Sequence, residues 1–174
     1  SCAFDDPLFI LFSSGTTGQP KCIVHSVGGT LLQHLKEHQL HCDLNANDTL
    51  FYYTTCGWMM WNWMISALAS NVSLVVYDGA AIVSQTDSIW DIIATYNVTV
   101  FGCSASFIAA SEKRNIDVVE KCKNQSLRLL LSTGSPLLSN HYEYLYNAFD
   151  YPIQVGSISG GTDIISCFAL CNPL

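Results

Sequence analysis

Within nine residues, Ser13, Ser14, Thr16 and Thr17 supply four hydroxyls, Gly15 and Gly18 supply two permissive backbone positions, and Lys21 supplies a cation. Glycine at such spacing lets successive N–H groups turn into one concavity. Pro20 stiffens the exit of the loop. A donor-lined, positively charged loop of this kind can hold phosphate and stabilise charge as it moves during a reaction. It is not the P-loop pattern: Gln19-Pro20 separates Gly18 from Lys21, and the β-branched run Cys22-Ile23-Val24-His25 follows where a P-loop opens a helix. Taken alone, the loop has a structural alternative, a Ser/Gly turn with one exposed lysine.

The elements that position this loop come first. Pro7–Phe12 is apolar and Cys22–His25 is strand-like, so the loop is the tip of a hairpin. Ser26 caps a helix running to about His41, with Leu31, Leu32, Leu35 and Leu40 as its apolar face. On that helix His34, His38 and His41 lie at i, i+4 and i+7 beside Cys42, a spacing that could hold zinc; the alternative is a solvated polar face. Strands are predicted at 50–53, 72–77 (buried), 98–102, 127–131 and 153–158. Helices are predicted at 58–70, at 86–96 from a Thr86 or Asp87 cap, at 104–111, and at 138–149 with Tyr142, Leu145, Tyr146 and Phe149 inward. Residues 112–126 read as a polar connection. This alternation indicates an α/β fold with a largely parallel sheet and flanking helices. Ligands of such sheets sit beyond the carboxyl ends of the strands. The loops 13–21, 132–136 and 159–163 each follow an apolar strand, so topology places them around one crevice.

Composition narrows the class. The chain has 174 residues, 49% apolar and only 12% charged. That charge share is about half the usual quarter of a soluble domain, which points to a surface covered by neighbouring protein and to a piece of a larger enzyme. Net charge is −7, which argues against a nucleic-acid or anionic-membrane surface. The apolar stretch Trp58–Ala69 is interrupted by Asn62 and Ser66 and falls short of the roughly 18–20 residues a membrane span needs. Eight scattered cysteines, several in apolar strands, read as reduced thiols of a cytosolic protein. The alternative is a disulfide framework in a secreted domain.

The string Ser-Ser-Gly-Thr-Thr-Gly-Gln-Pro-Lys at 13–21 resembles the phosphate-loop signature of the adenylate-forming superfamily, which contains acyl-CoA synthetases, luciferases and peptide-synthetase adenylation domains. Thr54–Trp63 and Gly156–Ile165 are most similar to the branch that activates acetoacetate. The resemblance implies an acid–thiol ligase that converts acetoacetate, ATP and coenzyme A to the acyl-CoA, AMP and pyrophosphate through an acyl-adenylate. It implies that Ser13, Gly15, Thr16, Thr17, Gly18 and Lys21 contact phosphates, with Lys21 catalytic. Thr162 and Asp163 are expected to act in catalysis and to hold Mg²⁺, a cation that takes hard oxygen ligands. The family's usual pair is Thr-Glu, one methylene longer; a turn with a helix N-cap is the structural alternative. Gly134, Ser135 and Pro136, with Gly161 and Thr162, are expected against the nucleotide. Trp58, Met59 and Met60 are expected to line the acyl pocket, whereas Trp61 and Trp63 are assigned to the core. Gly160 stands where acetyl-CoA synthetases carry a tryptophan that shortens the pocket, so a longer acid is expected.

The superfamily's later motifs, a ribose-binding aspartate, an arginine and a lysine on a mobile C-terminal domain, do not occur in this sequence. Residues 1–174 are therefore expected to be part of an AMP-binding (adenylation) domain that works with a C-terminal domain of the same enzyme, and to be inactive alone. Two other readings stay open: another short- or medium-chain acyl-CoA synthetase, and a truncated, non-catalytic nucleotide-binding protein.

Overall fold

The computed structural model of the chain describes residues 1–13, 18–84 and 86–173. It opens with the expected hairpin. β1 (Pro7–Ser13) pairs antiparallel with β2 (Lys21–Ser26), and Ser13 stands opposite Lys21 at the mouth of the loop. Ser26 caps α1 (Val27–Lys36) by accepting the Gly29 N–H, and a π-turn over Glu37–His41 extends the helix. Then come β3 (Thr49–Tyr52), α2 (Met59–Ser66) with a 3₁₀ turn over Ala67–Ser70, and β4 (Ser73–Val75). They are followed by α3 (Ile89–Thr95), β5 (Val100–Ser104), α4 (Ala105–Lys113), α5 (Val118–Lys121) and β6 (Leu129–Thr133). α6 (Ser139–Ala148), β7 (Gln154–Ser157), β8 (Ser159–Gly161) and β9 (Ser166–Ala169) complete the described elements.

Five strands form one parallel sheet in the order β4-β3-β5-β6-β7. Successive side chains of a strand point to opposite faces, and here each face has its own core. Phe51, Phe101, Cys103 and Leu130 pack with Trp90, Ile93, Phe107, Ile108 and Leu145 from α3, α4 and α6. Leu50, Tyr52, Val100, Leu129 and Leu131 pack with Met60, Trp63 and Met64 of α2 and with Cys42, Leu44 and Cys171. Both faces being covered explains why these strands read as continuous apolar runs. At the amino ends, Arg128 binds Asp48 with Nε at 3.0 Å and Nη2 at 2.9 Å, and the Thr99 hydroxyl donates to the same carboxylate at 2.6 Å. Burial pushes the Asp48 carboxyl up, yet the Arg128 and Thr99 hydrogen bonds hold it below its usual range.

Several expectations are corrected. The 72–77 segment is a three-residue edge strand, not a buried one; Ser73 is exposed and Leu74 and Val75 are half-buried. α3 starts from Ser88, not Thr86 or Asp87, because Ser88 and Asp91 form a reciprocal capping box. The polar connection contains α5, capped by Asp117. Tyr146 faces outward. α1 is turned over: Leu31, Leu32 and Leu40 are exposed, while Thr30, His34, Glu37 and His38 are buried. The inward face of α1 and its π-turn meets polar groups of α2 and of residues 165–167 together with the Trp63 ring.

Candidate functional site

A cleft of about 760 Å³ opens at the carboxyl ends of the central strands. Tyr52 ends β3 and Tyr53 follows it, Val76–Gly79 come from the loop after β4, Cys103 and Ser104 from β5, and Thr133 ends β6 with Gly134 next to it. Thr54, Thr55, Cys56, Trp58, Met60 and Trp61, at and before the start of α2, close another wall. The lining is mostly aromatic and aliphatic with a few hydroxyls and the carboxylate of Asp78, the make-up of a small-molecule site. Gly134 has φ +88°, in the region that favours glycine, so the Gly-Ser-Pro turn leaves β6 in a direction that other residues disfavour.

Trp58 and Met60, expected against the acyl group, and Gly134, expected against the nucleotide, thus share one cleft. Ser135 and Pro136 are exposed beyond it, and Met59 packs against the α2 core. Trp63 is fully buried, as expected of a core residue; Trp61, half-buried, packs against the same core and also lines the cleft. Tyr53, Tyr77, Asp78 and Ser104 were not singled out from the sequence. The signal that finds them is their place directly after apolar strands.

The other predicted group is built separately. Thr162 and Asp163 lie in the tight turn joining β8 to β9, an antiparallel hairpin that the sequence reading missed. Asp163 is exposed and Thr162 half-buried. His25 Nε2 of β2 donates to the Thr162 carbonyl at 2.8 Å, so the first hairpin touches this turn. Gly160 and Gly161 belong to β8, and Gly160 does not line the cleft. Gly18 and Lys21 are exposed at the loop mouth and Ser13 is half-buried. Gly15, Thr16 and Thr17, with Ser14, lie outside the described residues.

The histidines of α1 form neither a zinc site nor a solvated face. His34 and His38 are fully buried, and among the described residues no group of three or more His, Cys, Asp or Glu could hold a metal ion. His34 Nε2 donates to the Ile165 carbonyl at 2.7 Å and its Nδ1 faces Ser66 Oγ at 2.9 Å. His41 Nδ1 donates to the Cys171 carbonyl at 3.0 Å. Neither ring nitrogen of His38 has a hydrogen-bond partner, and its ring stands edge-on to Trp63, centroids 4.3 Å apart.

This burial has a pH consequence. Desolvation, aided by the neighbouring His34, pushes His38 from its ordinary 6.5 down to about 3. Burial also lowers His34, against the pull of the Ile165 carbonyl and Glu37. Between those two values His38 stays neutral in the fold but binds a proton when unfolded. Its contribution to stability is complete above 6.5 and is lost as pH falls toward the folded value. From pH 7 to pH 5 the His38 share alone is about 2 kcal/mol. Urea unfolding at the two pH values is expected to show this loss, and His38→Leu is expected to flatten the dependence. An undiminished slope in His38→Leu would exclude His38 as its source.

The sequence pattern of the family described as AMP-binding enzyme matches residues 1–173. The acetoacetyl-CoA synthetase of Gallus gallus is 53% identical over 165 residues, which are 95% of this chain and 25% of that protein. The malonamoyl-CoA synthetase of Penicillium aethiopicum is 43% identical over 184 residues, 98% of this chain and 25% of that protein. The solved acetoacetyl-CoA synthetase of Streptomyces lividans superposes with a TM-score of 0.93 at 41% identity, over 99% of this chain and 27% of that one. The chain therefore spans about a quarter of the length of the curated relatives it matches.

Proposed function

Since the chain belongs to the AMP-binding enzyme family, we propose that residues 1–174 are part of the adenylation domain of an ATP-dependent acid–thiol ligase acting on acetoacetate. In the first step the acid's carboxylate attacks the α-phosphorus of ATP and pyrophosphate leaves. In the second the thiol of coenzyme A attacks the acyl carbonyl and displaces AMP. The observation that carries the reading is the cleft itself: the apolar side chains of Trp58 and Met60 line it together with Gly134 at the carboxyl ends of parallel strands. An acid bound at that wall and a nucleotide at the β6 turn meet within one cleft, so the rate gain comes from positioning. Lys21, with the loop it closes, balances charge on the departing pyrophosphate.

Thr162 and Asp163 offer a hydroxyl and an exposed carboxylate, a donor set that fits Mg²⁺, which takes one or two carboxylates and leaves its remaining positions to phosphates and water. Bound there, the ion would neutralise phosphate charge. The remainder of the enzyme, including a C-terminal domain, would supply the ribose contacts and the coenzyme A site. The exposed row Leu8, Ile10 and Phe12 with Val24 supports this, as an apolar face for neighbouring protein to cover. No helix among the described residues is long and apolar enough to cross a membrane. A cytosolic setting is part of the proposal, supported by eight cysteines in the thiol form, of which Cys42, Cys103, Cys122, Cys167 and Cys171 are raised by burial.

The test is acid-dependent ATP–pyrophosphate exchange by the intact parent enzyme with acetoacetate, malonamate, acetate, butyrate and a medium-chain acid. Exchange is expected to be highest with acetoacetate. A maximum with another acid would keep the chemistry and replace the substrate; no exchange with any acid would favour a non-catalytic nucleotide binder.

A further inference from the structure

The β8–β9 hairpin cannot place itself. Its strands have three and four residues, and its pairing is limited to Ser159–Ala169, Gly160–Cys167 and Gly161–Ser166. A two-stranded hairpin of this size is marginal alone. It also holds Ile165 at φ +48°, an outlying conformation for a β-branched residue. Such strain persists only where the surroundings impose it.

The surroundings here are the inward face of α1. Glu37, fully buried, accepts the Ser166 hydroxyl at 2.5 Å, the Cys167 N–H at 2.9 Å and the Gln33 amide at 3.1 Å on Oε1. Its Oε2 accepts the Trp63 indole N–H at 2.8 Å, and the Lys36 ammonium lies 4.0 Å from Oε1. Gln33 also binds Ser166 directly. One turn away, His34 holds the Ile165 carbonyl. A buried carboxylate is retained at a cost unless its acceptor capacity is met, and here it is met by groups from α1, α2 and β9 at once.

We propose that Glu37 is a positioning residue for the adenylation step: its buried carboxylate fastens the β8–β9 hairpin to α1 and α2 and so fixes the Thr162–Asp163 turn. The inference rests on the roles proposed above for that turn. Glu37 touches no reacting atom; it acts through Ser166 and Cys167 on the Thr162–Asp163 turn of the same hairpin.

The experiment compares Glu37→Ala and Glu37→Gln in the intact parent enzyme by pyrophosphate exchange and by amide hydrogen exchange. Glu37→Ala is expected to lower turnover per folded molecule about 10- to 30-fold with the KM for the acid changed less than about twofold. Amides of 162–169 are expected to exchange at least about tenfold faster, with those of β5 and β6 unchanged. Glu37→Gln keeps the shape and one acceptor oxygen and covers the case in which alanine does not fold; its turnover is expected to fall about threefold, with faster exchange at Ser166 and Cys167. Wild-type turnover per folded molecule, or an equal acceleration of amides throughout the sheet, would overturn the proposal and leave Glu37 an ordinary core contact. If the unsubstituted enzyme shows no pyrophosphate exchange, the functional reading fails by itself, while the amide pattern still decides whether Glu37 holds the hairpin.

Discussion

Lys21→Ala in the intact parent enzyme is expected to lower ATP-dependent turnover about 10²- to 10³-fold, the scale of removing one preorganised charge-stabilising group. Thermal stability is expected to change by less than about 0.5 kcal/mol. The contrast follows from where the side chain stands. Lys21 is exposed at the start of β2, opposite Ser13, and makes no ion pair among the described residues. Among the described residues nothing pairs with its charge, in contrast to Arg128, whose guanidinium is committed to Asp48. Steady-state kinetics and a melting curve on the same preparation check the prediction. Matching losses of turnover and stability would make Lys21 structural, and unchanged turnover would remove it from the phosphate site.

Gly160→Ala is expected to destabilise the protein by at least about 3 kcal/mol, the upper end for overpacking, because the obstacle is backbone. A Cβ on Gly160 would lie 2.2 Å from the Ser166 carbonyl oxygen and 2.7 Å from the Cys167 Cα. Neither atom is the end of a flexible side chain, so β9 must move away from β8. Gly160→Trp is then expected to abolish use of acetoacetate and of ATP together, through loss of the hairpin that carries Thr162 and Asp163. The resemblance to acetyl-CoA synthetases leads to a different expectation, a shortened pocket with selective loss of acetoacetate. Denaturant unfolding of Gly160→Ala separates the two: wild-type stability would show that β9 yields, and would restore the pocket-length reading. Under the proposed reading, acid selectivity is better probed at Met60, which lines the cleft and packs in the core on the same face of the sheet.

Much of the site was legible because the signals are local. Gly and Pro placement around 13–21 marks a hairpin, and Ser26 marks a helix start. Apolar runs mark the central strands, and the rule that ligands lie at their carboxyl ends places Gly134 beside Trp58 and Met60. The readings that failed depended on a partner distant in sequence. Leu31, Leu32 and Leu40 resemble a core-facing stripe, yet α1 and its π-turn bury His34 and Glu37, because residues 165–167 offer a carbonyl, a hydroxyl and an N–H more than a hundred positions away, and bury His38 against the Trp63 ring. Helical periodicity shows that two faces differ in polarity. It does not show which of them meets the rest of the chain.

The sequence by itself determined the α/β class, the β1–β2 hairpin and the family, since each follows from residue types at short spacing. Tertiary structure alone decided how the Thr162–Asp163 turn is held. That turn lies within the hairpin 159–169, whose Thr162 and Ile165 carbonyls accept from His25 and His34 and whose Ser166 and Cys167 donate to the buried Glu37, itself bonded to the Trp63 indole; Ile165 holds φ +48° in that setting. Long-range hydrogen bonds of this kind leave no periodicity in the chain, because each partner is an ordinary residue until the fold brings them together.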